Sequence, residues 1–188
     1  PVRFITNGNN VFTNSAGQSV SGHEFYAFYP YSDYAVQTDN RKLLSFYGIQ
    51  GTTGKNPLLS IPLVAKSSDG SAFVFKHTCG ILHFSVTGSQ TLSRVELRSN
   101  SGEGIMGLTV DLDEDIPVLI GEDGWDISSL GLNGVTLSKD EPYDIWFFIP
   151  PVTLSNGFSL KFEYEGGTVK KSTQKPVTIS RGCIMNYS

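Results

Sequence analysis

Hydrophobic and polar residues alternate along much of this chain. In FSLKFEYE, residues 158–165, Phe158, Leu160, Phe162 and Tyr164 share one face, and Ser159, Lys161, Glu163 and Glu165 share the other. A period of two with one apolar face predicts a half-buried antiparallel strand. GILHFSV groups Leu82, Phe84 and Val86 in the same way, and RVELRS sets Val95 and Leu97 against Arg94, Glu96 and Arg98. YDIWFFIPP is apolar on both faces, as in a central strand, and ends at Pro150 and Pro151, which cannot donate to a ladder. Glycine turns at SGEG, EDGW, LNGV, SNGF and EGGT separate these runs. Strands recurring about every 8–12 residues between such turns predict a β-sandwich. No segment has a convincing helical period; SSLGLNG, residues 128–134, is expected to hold one irregular or 3₁₀ turn.

The N-terminal part is patterned differently. Strands are expected near residues 1–6, 24–30, 43–49 and 58–65, joined by long polar loops such as NGNNVFTNSAGQSVSG. A division at SSDGSAF makes residues 1–76 a small, looser β domain and residues 77–188 a compact sandwich. Neither a tandem repeat nor a low-complexity tract is present.

Composition narrows the class further. The chain has 188 residues, enough for a sizeable core, and only 17% are charged. Soluble domains usually carry roughly 25%, and the surplus of Gly, Ser, Thr, Asn and aromatic residues fits a β-rich extracellular protein. A net charge of −4, with no Lys/Arg run, lacks the footprint of a phosphate-binding surface, so nucleic acid is not an expected partner. No apolar run approaches the ~20 residues of a membrane helix. The first residue is Pro1 and not Met, and the expectation is that a targeting segment was removed upstream. The only cysteines, Cys79 and Cys183, lie far apart without C-x-x-C spacing, and both are expected to be free thiols.

Four clusters carry candidate chemistry. FKHTCGILHF places His77, Cys79 and His83 at one strand parity, and His23 is the only other histidine. At ~3.3 Å per extended residue the two histidines of this stretch stand about 20 Å apart, which no single zinc ion bridges. Cys79 lacks a base at the right spacing and reads as a small apolar thiol. DLDEDIPVLIGE puts Asp111, Asp113 and Asp115 at positions 1, 3 and 5 of a calcium loop and Glu122 at position 12. Ile116 then stands where the sharp turn needs glycine, and Pro117 follows, so a solvated acidic loop is the favoured reading and a weak surface calcium site the alternative. In EFYAFYPYSDY, Tyr26, Tyr29, Tyr31 and Tyr34 offer rings to stack on a sugar, although strand packing explains the same alternation more simply. Nucleophile-elbow, zincin, P-loop and dinucleotide motifs are absent from the sequence.

Taken together, YAFYPYS, FVFKHTCGILHFSVTG, RVELRSNSGEGIMGLTVD, YDIWFFIPPVTLSNGFSLKFEYEGG and KPVTISRG resemble the fimbrillin-like proteins of Bacteroidales from about residue 24 onward. The resemblance implies an all-β fold of two tandem transthyretin-like antiparallel β-sandwich domains, the N-terminal one small or truncated. It further implies export as a lipoprotein precursor to the cell surface or outer membrane, and a role as fimbrial subunit or adhesin. A signal peptide, a lipidated cysteine and a longer N-terminal domain, usual in that family, are not visible here. The family is defined by its scaffold, so no catalytic residue carries over.

The expectation is therefore a non-enzymatic surface adhesin or fimbrial subunit of tip or accessory type, without cofactor. Its partners would be other fimbrial subunits or a host protein or glycan, and it would be a monomer alone in solution, held to a membrane only through a lipid anchor outside this chain. PVTIS, the last readable strand, is followed by RGCIMNYS, and the expectation is that, if those eight residues complete the C-terminal sandwich, no long donor tail remains. The alternative is a surface carbohydrate-binding module that uses the aromatic segment 25–34.

Overall fold

A computed structural model describes residues 4–6, 12–14, 24–30, 35–38, 43–46, 51–57, 60–114, 116–119 and 125–188. Its strands up to the middle of the chain are β1 (Phe4–Thr6), β2 (Phe12–Asn14), β3 (Phe25–Tyr29), β4 (Ala35–Thr38), β5 (Leu43–Phe46), β6 (Gly51–Thr53), β7 (Leu63–Ser67), β8 (Lys76–His77), β9 (Gly80–Val86) and β10 (Thr91–Ser99). Then come β11 (Leu108–Asp111), β12 (Ile116–Leu119), β13 (Ile127–Thr136), β14 (Tyr143–Ile149) and β15 (Val152–Leu154). The last are β16 (Phe158–Tyr164), β17 (Gly167–Thr173), β18 (Val177–Ile179) and β19 (Ile184–Tyr187). The fold is all-β, a set of packed sheets of the sandwich class.

A central sheet of order β19-β9-β14-β6 organises the rest. Its strands β9 and β14 are apolar on both faces only where both faces are buried, over residues 81–82 and 145–149. Leu82, Phe84, Ile145, Phe147 and Ile149 point into one core, while the intervening Cys79, Ile81, Trp146 and Phe148 point into a second. The first core is closed by an outer sheet of order β13-β10-β16-β17, through Leu92, Val95 and Leu97 of β10 and Phe158, Leu160 and Phe162 of β16. The alternation read in GILHFSV, RVELRS and FSLKFEYE is the inner-face pattern of this first core. The second core is completed by Leu44 and Phe46 of β5, Ile61, Val64 of β7, and Val110 and Leu112 at the end of β11.

The second core draws on both halves of the chain. Strand β5 pairs with β11, and β6 with β14, so two ladders cross the division drawn at residue 76. Strands β3, β7 and β8 form a small sheet of their own, as do β15 and β18. FKHTCGILHF spans β8 and β9, a link followed by the opening strand of the central sheet.

Two details depart from the expected pattern. SSLGLNG is not an irregular or 3₁₀ turn; it lies inside β13, paired with β10 from Thr91↔Thr136 to Arg98↔Ile127. The register jumps opposite Leu92 and Arg94, and Asn133 (φ 49°) and Gly134 (φ 78°) take left-handed backbone there. A bulge supplies the turn-like residues without ending the strand. In addition, the ladders are not all antiparallel: β19, formed by IMNY in the short tail after PVTIS, pairs with β9 in parallel, Ile184↔Ile81 through Tyr187↔Phe84.

Candidate functional site

A polar cluster on a half-buried sheet face lies across three strands of the central sheet. Register sets Trp146, His83 and Asn186 in one row across β14, β9 and β19, and Asp144 and Ser85 in the next. The His83 ring is stacked on the Trp146 indole, with centroids 3.6 Å apart and planes at 7°. Its Nε2 lies 2.9 Å from Asp144 Oδ1 and its Nδ1 lies 2.7 Å from Asn186 Oδ1. Trp146 Nε1 donates to the Gly54 carbonyl at 2.7 Å, tying the row to the turn after β6.

This arrangement contains histidine, aspartate and serine but not the relay of a nucleophilic triad. In such a relay the serine hydroxyl must meet the imidazole, whose other nitrogen meets the carboxylate. Here the Ser85 hydroxyl donates to Asp144 Oδ1 at 2.9 Å, the same oxygen that faces His83. The second ring nitrogen is taken up by Asn186, so nothing activates Ser85. What the cluster does is clamp three strands with charge-assisted hydrogen bonds on a half-buried surface.

Sequence reading found His83 but missed Asp144, Ser85 and Asn186. A usable signal was present: in YDIW and LHFS a polar residue interrupts a strand otherwise apolar on that face. The partners stand 61 and 103 positions from His83, a separation that only the folded register reveals. His77 belongs to exposed β8, in another sheet, where its carbonyl accepts from Arg181 Nε. The two histidines of FKHTCGILHF are thus on separate elements. Cys79 is buried and Cys183 exposed, and both are free. Burial pushes the Cys79 thiol up to about 12, which keeps it neutral and unreactive.

The acidic and aromatic candidates meet at one surface. The Tyr26 hydroxyl is 2.8 Å from Asp113 Oδ1 and 3.1 Å from Glu24 Oε2. Lys66 reaches Glu24 at 3.3 Å and Asp113 at 3.4 Å, and lies over the Tyr26 ring. These carboxylates and the Tyr26 hydroxyl hold the Lys66 ammonium charged against the partial burial that opposes it. Asp111 Oδ1 accepts from the Asp113 amide at 2.9 Å, an Asx turn at the end of β11. Asp113 is therefore engaged by a hydroxyl and an ammonium, and no group of three or more acidic, histidine or cysteine side chains suited to a metal occurs among the described residues. Tyr26 and Phe28 pack against the second core, and Tyr29 is half-buried. His23, Tyr31, Tyr34, Asp115 and Glu122 lie outside the described residues.

With fold and clusters in place, the chain is an all-β protein of the sandwich class. No protein-family model matches it, and no curated protein does. Among solved structures, it is similar to a candidate cell adhesion protein from Bacteroides ovatus ATCC 8483, with a TM-score of 0.55 at 17% identity over 94% of this chain and 68% of that one. A second candidate cell adhesion protein, from Bacteroides fragilis NCTC 9343, aligns at a TM-score of 0.40 and 11% identity, over 73% of this chain and 52% of that one.

Proposed function

We propose that this protein is a non-enzymatic adhesin exposed at a cell surface. The observation that carries the reading is the shared fold with the Bacteroides ovatus candidate adhesion protein along 94% of the chain. The His83 cluster supports it, because its hydrogen bonds are spent between strands rather than aimed at a substrate. Within that reading, the protein is an exported, lipid-anchored fimbrial component of tip or accessory type, monomeric when purified, that meets other fimbrial subunits or a host glycan or protein. In the same reading, residues 1–76 and 77–188 make up two domains, with the β5–β11 and β6–β14 ladders crossing between them.

The test has two arms. Antibody should label intact cells producing the full-length protein, and the purified chain should bind saturably to a panel of immobilised glycans and matrix proteins. Labelling only after cell lysis, or no saturable binding on the panel, would overturn the reading.

A further inference from the structure

An open groove of about 510 Å³ lies between the outer sheet and the central sheet. Phe84, Phe158, Leu160, Phe162 and Tyr187 line it together with Lys171. Three of these rings form a continuous floor: Phe84 and Phe158 meet edge-to-face at 5.6 Å, and Tyr187 stacks on Phe84 at 5.4 Å and stands edge-on to Phe158 at 5.2 Å. This is the side where β17 edges the outer sheet and β19 edges the central one. The volume falls within the range of small-molecule sites, about 300–1,000 Å³.

Lys171 is the one charged side chain of the lining, which also includes the hydroxyl residues Ser85, Thr87, Ser172, Thr173 and Ser188. Register pairs Lys171 of β17 with Leu160 of β16, so the lysine shares the inner, core-facing side of the sheet. Val169, two residues earlier on that side, pairs with Phe162 and is 41% exposed. Three other surface lysines are matched, Lys55 with Glu141, Lys66 with Glu24 and Asp113, and Lys161 with Glu163, whereas Lys139, Lys170 and Lys175 have no such pair among the described residues and do not line the groove. Among the described residues no carboxylate pairs with Lys171. An unmatched ammonium beside an aromatic floor is complementary to a molecule with one negative group and an apolar body.

We infer that this groove binds an amphipathic monocarboxylate, such as a medium-chain fatty acid, with its chain on Phe84, Phe158 and Tyr187 and its carboxylate on Lys171. The competing role for an inward-facing lysine on an edge strand is to block edge-to-edge pairing. That role asks only for a charge and is indifferent to any ligand.

Calorimetric titration of the purified chain with decanoate, decanol and decylammonium, each below its micellar concentration, separates the two. Decanoate should bind saturably at one site, and the other two at least tenfold more weakly. Lys171→Glu should lower decanoate affinity tenfold or more and Lys171→Arg should restore it, while Lys175→Glu, an equal charge change on a residue that does not line the groove, leaves it within about twofold. Circular dichroism and melting temperature establish that each variant is folded. Absence of saturable decanoate binding, equal binding of decanol or decylammonium, or indifference to Lys171→Glu would each overturn the proposal.

Discussion

The two cores share the central sheet yet are built in opposite ways. The first is drawn from residues 82 to 187, almost all on strands with clean alternation. The second gathers Leu44, Phe46, Ile61 and Val64 from the N-terminal part with Cys79, Ile81, Val110, Leu112, Trp146 and Phe148 from the remainder. A core made from one run of strands is written into the local period. A core made from scattered pieces exists only once distant strands have found their register, and its stability depends on ladders such as β5–β11 and β6–β14.

Adjacent residues of β14 give the most severe test of this contrast. Phe147 is fully buried in the first core and Phe148 is 3% exposed in the second. Truncating a buried phenylalanine to alanine costs about 3–5 kcal/mol. Phe147→Ala and Phe148→Ala should both fall in that range by urea denaturation. If the second core belongs to the same cooperative unit, both variants should keep a single transition. A cost under about 1 kcal/mol for Phe148→Ala, or a separate early transition, would show that the second core packs only loosely on the sheet.

A smaller effect is expected where β6 docks. A Cβ built at Gly51 would stand 2.1 Å from the Trp146 carbonyl oxygen, a backbone atom of β14 that cannot move aside alone. Gly51→Ala should therefore destabilise by about 1–3 kcal/mol, in the manner of overpacking. Gly131 in β13 has nothing within 4 Å of such a Cβ. Gly131→Ala should leave the melting temperature nearly unchanged, and equal effects of the two substitutions would remove β6 from the account.

These comparisons also mark what the sequence made legible. The strands of the first core, the all-β class and the two-faced character of YDIWFFI follow from local period. Leu44 and Phe46 were not legible as core because β5 has four residues and its partner β11 lies more than sixty positions onward. β13 was hidden by a bulge whose Asn133 and Gly134 imitate a turn. His83 was visible as a residue but not as a site, since its meaning comes from Asp144 and Asn186 on other strands.

The first core carries a pH-dependent latch at one end. The Glu103 carboxylate accepts from the Ser99 hydroxyl and from the amide and hydroxyl of Ser155, joining the turn after β10 to the turn before β16. The two serine hydroxyls hold its pKa down to about 2, from an ordinary 4.5. A depressed folded-state value means the stabilisation is present above pH 4.5 and is lost as pH falls toward 2. Glu103 is half-buried at the surface, where solvent screening keeps its worth to about 1 kcal/mol. Glu103→Gln should lie below the wild type near neutral pH, and the gap should close between pH 4.5 and 2. A gap that is constant across that window would show that the carboxylate charge contributes nothing.

The gentlest comparison uses the two thiols and should change stability hardly at all. Cys183 is exposed near the start of β19, and Cys79 is buried in the second core, 1% accessible. Only the thiolate attacks a disulfide reagent, so Cys79, held neutral up to about 12, reacts only when the second core opens. Cys183 should be labelled within minutes at pH 8, with no shift in melting temperature, and Cys79 should wait on an opening equilibrium. Raising pH through the ordinary thiol value of 9.0 toward 12 favours the unfolded thiolate, so the protection of Cys79 should decline in that direction. Following Cys79 labelling against urea concentration then measures the opening of the second core directly. Agreement with the global unfolding free energy means that both cores open together, and a lower value with weak urea dependence means that the second opens by itself. Two thiols reacting at one rate in the native protein would contradict the burial of Cys79 and, with it, the separation of the cores.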